Sequence, residues 1–158
     1  MAAPSAGTRT KPSGEFLKRG YRMVVGIGAA STINLFEKST KPPGQDAGEP
    51  IDITTQWNDD LRTYASEALV TMTSMTFKAA YASAAYDEIL AALNVETTIT
   101  LFFPDGSTLA FYGYLQKFEP DEMTEKEQPT ATCTIQPTNA DPNTGSEENW
   151  VYTPPVGT

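Results

Sequence analysis

The sequence predicts a mainly β chain with one flanking helix, and three segments between Tyr81 and Gln136 carry that prediction: an amphipathic helix, a hydrophobic hairpin and a threonine-faced strand. Each is read from its period. Side chains of a strand alternate between two faces, whereas those of a helix return to one face every three to four residues.

Taken in order, the chain opens with a basic arm over residues 1–20, rich in Gly, Pro, Ser and Thr. Tyr21 to Val25 is a short strand candidate and Thr32 to Glu37 a second, closed by Lys41-Pro42-Pro43-Gly44. Gln45 to Arg62 reads mostly as loop, with Pro50, a possible extended piece from Ile51 to Thr55, and the exposed cluster Trp57-Asn58-Asp59-Asp60. A loop of that length inside a small domain usually serves an interface or a function, so Trp57, Asp59, Asp60 and Tyr64 are candidate contact residues. Glu67 to Phe77 reads as a strand with Leu69, Met75 and Phe77 on one face and Val70 and Met72 on the other.

The helix is placed at about residues 80–94, because Tyr86, Ile89, Leu90 and Leu93 fall at i, i+3, i+4 and i+7 before Asn94. That apolar face is expected to be buried. In the hairpin, residues 97–118, Ile99, Leu101 and Phe103 oppose Thr98, Thr100 and Phe102, and on the return Leu109, Phe111 and Leu115 oppose Ala110, Tyr112 and Tyr114. Pro104-Asp105-Gly106-Ser107 is the turn, with Gly106 accepting a positive φ. From Thr130 to Gln136, Ala131, Cys133 and Ile135 point one way and Thr130, Thr132, Thr134 and Gln136 the other. Such a strand packs one face and wets the other. Residues 139–158 form a Pro/Gly/Asn/Glu-rich extension whose aromatic anchors, Trp150 and Tyr152, imply that it lies down on something.

At 158 residues the chain supports one domain with a real core, over residues 21–138, and two extensions. Apolar runs are short, with neither a transmembrane span nor an apolar signal segment after Met1, so the chain is expected to be soluble and made in the cytosol. The lone Cys133 lies on the apolar face of its strand and reads as a small buried hydrophobe. The net charge of -9 is unevenly spread: of 11 bases and 20 acids, residues 1–22 hold five bases (Arg9, Lys11, Lys18, Arg19, Arg22) and only Glu15, leaving six bases and nineteen acids to the body. Such an arm is either a solvated tail or a segment that docks on a neighbouring copy through Arg9, Lys11, Lys18 and Arg19. Nucleic-acid binding is disfavoured because the body repels the same polyanion.

Histidine is absent, which removes Ser-His-Asp and Cys-His nucleophile systems and most imidazole-based metal sites. Gly26-Ile27-Gly28-Ala29-Ala30-Ser31 imitates a dinucleotide turn, but no helix opens there and no βαβ repeat follows, so turn glycines are the reading. The carboxylates Asp59-Asp60, Asp87-Glu88 and Glu119 to Glu127 lack calcium-loop spacing and read as solvated. Lys78 and Lys117 read as surface lysines. No enzyme, cofactor or metal is expected.

The ordered set of a proline-glycine loop (Pro42-Pro43-Gly44), Ile51-Asp52-Ile53-Thr54-Thr55, Leu61-Arg62-Thr63-Tyr64, a long strand, the helix ending Leu90-Ala91-Ala92-Leu93, Ile99 to Gly106, Phe111-Tyr112-Gly113-Tyr114-Leu115 and a closing threonine strand resembles the major tail tube proteins of long-tailed bacteriophages. The resemblance covers about residues 20–138; the basic arm and the Trp150-containing extension depart from the pattern. It implies a small β-sandwich or half-barrel with one flanking helix, assembled as six-fold rings stacked into a hollow tube for genome passage. Its partners would be further copies of itself, other tail proteins (tape measure, terminator, distal tail) and transiently passing DNA, and its location the virion, after assembly in the host cytoplasm. Strands with one apolar and one hydroxyl-rich face suit such staves, which makes Thr98, Thr100, Thr130, Thr132, Thr134 and Gln136 candidates to line an acidic, polar lumen. A carbohydrate- or surface-binding β module resting on Trp57, Tyr112, Tyr114 and Trp150 is the alternative, with a tail terminator, head decoration subunit or secretion-tube ring as related roles and a carboxylate hydrolase last.

Overall fold

The computed structural model describes residues 23–28, 36–81 and 83–155. Over them the protein is mainly β, in antiparallel sheets with one α-helix, the class the sequence predicts. The principal sheet runs β1 (Val24–Ile27), β8 (Thr97–Phe102), β9 (Thr108–Pro120), β10 (Thr130–Pro137), β7 (Met75–Ala80) and β2 (Phe36–Lys41), every neighbour antiparallel. β9 is long enough to serve two partners on one flank: its second half pairs with β10, and its first half with β11 (Val151–Thr153) from the C-terminal extension.

Alternation builds the core as expected. Ile99, Leu101, Leu109, Phe111, Leu115, Ala131, Cys133 and Ile135 are buried on one face, joined by Val25, Ile27, Phe77 and Ala79 from the flanking strands. Fully burying one aliphatic or aromatic side chain stabilises by roughly 1.5–3 kcal/mol, so this face, rather than strand propensity, holds the sheet together. Two bulges keep the alternation in step. Gln116 is the extra residue where Thr134 pairs with Lys117 but Ile135 with Leu115, and Lys38 is the extra residue where Glu37 pairs with Ala79 but Ser39 with Lys78. Each reverses the parity of its strand, so that Phe118 packs on the core side and Lys117 on the other. Bulges also sharpen local twist. The sheet curls until its two edge strands meet, and the Val25 N–H donates to the Glu37 carboxylate at 2.8 Å across that seam.

The hairpin turn is as predicted. Gly106 has φ 90°, its N–H donates to the Phe103 carbonyl at 3.0 Å, and the Asp105 carboxylate accepts from the Ser107 N–H at 2.9 Å and hydroxyl at 2.6 Å. Gly113 is required by close approach, since a Cβ there would lie 2.8 Å from the Gln136 carbonyl oxygen.

Four element predictions need correction. The first strand is Val24–Ile27 rather than Tyr21 to Val25, because Val25 and Ile27 are the alternate pair that meets Leu101 and Ile99; Tyr21 lies outside the described residues. The second is Phe36–Lys41, and residues 32–35 also lie outside. The single strand from Glu67 to Phe77 is broken. Thr73 donates its N–H to the Gly44 carbonyl at 2.8 Å and accepts the Gly44 N–H at 2.8 Å, which separates β6 (Thr71–Met72) from β7 and lets Met72 and Met75 both be buried while Leu69 and Val70 are exposed. The helix is a 3-10 turn, Ser83–Ala85, followed by α1 (Tyr86–Ala92). It is short because Ala85 offers no side-chain cap at its start and Asn94 turns to φ 59° just beyond its end, where the Asn94 N–H donates to Leu115. Only Ile89 of its apolar face is deeply buried and Leu90 is exposed.

Candidate functional site

Two surfaces collect the candidate residues. The first is the non-core face of the principal sheet. Thr130, Thr132, Thr134 and Gln136 on β10 and Thr98 and Thr100 on β8 all lie on it, half-buried, with Tyr112 and Tyr114 of β9 between them. Pairing sets its side chains in rows across four strands: Ser39, Lys78, Thr132 and Glu119 in one, Lys41, Thr76, Thr134 and Lys117 in the next. A shallow groove of about 240 Å³ runs over Ser39, Lys41, Thr76, Lys78 and Thr132.

The charge on this face differs from the acidic lining expected. Lys41, Lys78 and Lys117 stand on it, and Lys78 meets Asp121 at 3.6 Å while Lys117 meets Glu119 at 3.0 Å. Net acidity is a property of the whole chain and says nothing about where parity places each charge. Here it places lysines among hydroxyls, and two of them find carboxylates. Bonds from the Thr130 and Thr132 hydroxyls, assisted by Lys78, hold the Asp121 carboxyl below the usual range.

The second surface is the excursion from Pro42 to Ser74. The sequence reads Gln45 to Arg62 mostly as loop, with a possible extended piece from Ile51 to Thr55, but the excursion folds back as a ribbon: β3 (Gln45–Asp46) pairs with β6, and β4 (Ile51–Asp52) pairs with β5 (Tyr64–Ala65). Asn58 organises its tip, accepting from the Thr55 N–H at 2.9 Å and donating to the Leu61 carbonyl at 2.9 Å and the Thr63 hydroxyl at 2.7 Å. Trp57 is 92% exposed, and Ile51, Ile53, Leu61 and Tyr64 are exposed with it. Asp59 and Asp60 are also exposed at the tip, so the loop candidates do share one element. The signal that was missed is the pairing: two-residue strands are too short to show a period. Arg9, Lys11, Lys18 and Arg19 lie outside the described residues.

The remaining candidates do not converge. Gly26 is inside β1 and Gly28 ends it at φ 86°, while residues 29–31 lie outside the described residues. Trp150 packs against the core, whereas Tyr112 and Tyr114 lie on the hydroxyl face and Trp57 at the ribbon tip, so the aromatic residues form no shared platform. Cys133 is buried, and its thiol is pushed up to about 12 by desolvation, with Asp121 and Glu37 adding to it. An aromatic cluster not foreseen from the sequence, Tyr81, Tyr86 and Phe118, has ring centroids 5.8 to 6.5 Å apart and fastens the helix start to the end of β9. Among the described residues no helix is long and apolar enough to cross a membrane. Neither a comparison with protein-family models nor a search of curated proteins finds a match to this chain.

Proposed function

We propose that this chain is a structural subunit of a hollow tube, a major tail tube protein of the long-tailed phage type, in which the curled sheet acts as a half-barrel stave. The observation that carries the reading is the two-faced sheet: one face closes on the core while the other presents threonines, a glutamine and paired charges, as a wall between packed protein and water requires. The ribbon supports it from outside the sheet. Five large apolar side chains held out on a hydrogen-bonded hairpin suit a contact with the next copy, and further copies, other tail proteins and passing DNA would be the partners. The surface-binding alternative has less behind it, because its four aromatic residues divide among three places: Trp57 on the ribbon, Trp150 against the core, and only Tyr112 and Tyr114 together on the hydroxyl face.

Negative-stain electron microscopy of the purified full chain tests the reading. Rings of six or stacked tubes are the expected outcome. Monodisperse single subunits at high concentration, with the ribbon intact, would overturn it.

A further inference from the structure

Three donors converge on the carboxylate of Asp121. The Thr130 hydroxyl donates to Oδ2 at 2.7 Å, the Thr132 hydroxyl to Oδ1 at 3.0 Å, and Lys78 Nζ stands 3.6 Å from Oδ2. The two threonines are i and i+2 on β10, hence on one face, and Lys78 is the residue paired with Thr132 on β7. Asp121 is brought there by the extension of the β9–β10 ladder, in which its own N–H donates to the Thr130 carbonyl at 2.8 Å. Two hydroxyls and an ammonium arranged around a pair of anionic oxygens are the donor set that recognises a phosphate or sulfate group as readily as a carboxylate.

We propose that this is an oxyanion site on the hydroxyl face, of the phosphate-binding type, which the chain keeps filled with its own Asp121 carboxylate. The internal anion is covalently tethered, so its effective concentration exceeds that of any phosphate in solution, and the site stays closed. Its consequence for DNA rests on the tube reading: a lumen face on which Asp121 already engages Lys78, and Glu119 engages Lys117, leaves a passing backbone phosphate less to hold. Glu119 engages Lys117 at 3.0 Å without flanking hydroxyls, in a pair exposed at both ends, 57% and 60% of side-chain surface.

The test vacates the site and offers it a replacement. Asp121→Ala is melted in about 50 mM inorganic phosphate and in chloride of equal ionic strength, beside the unaltered protein and the double variant Lys78→Met/Asp121→Ala. The expected result is a phosphate-specific rise in Tm of about 2 °C for Asp121→Ala alone, as follows when a ligand binds only the native state. The parent protein supplies the baseline for the general stabilising effect of phosphate. The double variant should return to that baseline, an outcome a purely structural role for Asp121 does not produce. A rise no larger than the parent's, or one that survives loss of Lys78, overturns the proposal. Should Asp121→Ala not fold in chloride, its refolding yield in phosphate against chloride gives the same decision. Because the readout is independent of assembly, a negative result here leaves rings seen by microscopy untouched, and the converse also holds.

Discussion

Glu37 shows how one side chain sets the shape of the sheet. Its carboxylate lies on the core side of β2, half-buried, and takes the Val25 N–H that β1 would otherwise leave unpaired at the seam. Desolvation raises its pKa against the lowering effect of the backbone bonds. The sign follows from linkage: an acid whose folded pKa lies above its unfolded value is ionised at the expense of the fold, so this contribution weakens stability as pH rises through the window from the unfolded value to the raised one. Glu37→Gln keeps an acceptor for Val25 and removes the charge. Its stability relative to the parent should therefore improve on going from pH 4 to pH 7, as read by denaturant midpoints. Glu37→Ala leaves a buried N–H unsatisfied and should cost about 1–3 kcal/mol across the whole range. Equal pH profiles for parent and Glu37→Gln would show that the carboxylate is solvated and the seam open.

At the scale of elements, the ribbon and the principal sheet obey different rules. The sheet is held by a continuous apolar face and was legible in β8, β9 and β10, where the burial of Ile99, Leu101, Leu109, Phe111, Ala131, Cys133 and Ile135 follows their parity, but not in β2 and β7, whose bounds the sequence misplaced. The bulges at Gln116 and Lys38 were not legible, because an inserted residue shows only against its partner strand. The ribbon has no core of its own. Side chains such as Asn58 and backbone pairs such as Ile53 N–H to Thr63 C=O, at 2.9 Å, fix it locally, and neither kind of bond leaves a hydrophobic period in the sequence. Apart from Met72, which joins the main core, its large apolar residues are exposed and thus contribute little to the monomer. Trp57→Ala should change the unfolding free energy by less than about 0.5 kcal/mol, as surface substitutions do, yet raise the concentration needed for assembly about tenfold or more if it is an interface anchor. Sedimentation across a concentration series, beside denaturant melts, separates the two. A variant that melts early and assembles normally would place Trp57 against the core.

For the whole molecule, the proposed tube requires one side of the sheet to face water in the assembly. Period 2 leaves two arrangements: the hydroxyl face inward on a lumen, or outward on the surface. The six candidates Thr98, Thr100, Thr130, Thr132, Thr134 and Gln136 share that face, so their common side was readable from alternation, whereas the lysines among them came from cross-strand pairing that no local pattern reveals. Adjacent positions on β10 decide the matter, because Cys133 is already a buried thiol pushed up to about 12, with a vanishing thiolate fraction near neutral pH. The parent protein should therefore resist thiol reagents, assembled or not. Thr132→Cys puts a second sulfur on the opposite face of the same strand. In free subunits it should react with both a small maleimide and a polymer-linked one. In assembled material a lumen admits the small reagent and excludes the bulky one from all but the ends, so a protected bulky reaction beside a rapid small one is the expected result. Rapid reaction with both in intact tubes would place the hydroxyl face outside, and labelling of Cys133 with position 132 spared would mean that the two faces of the sheet exchange roles when the subunits assemble.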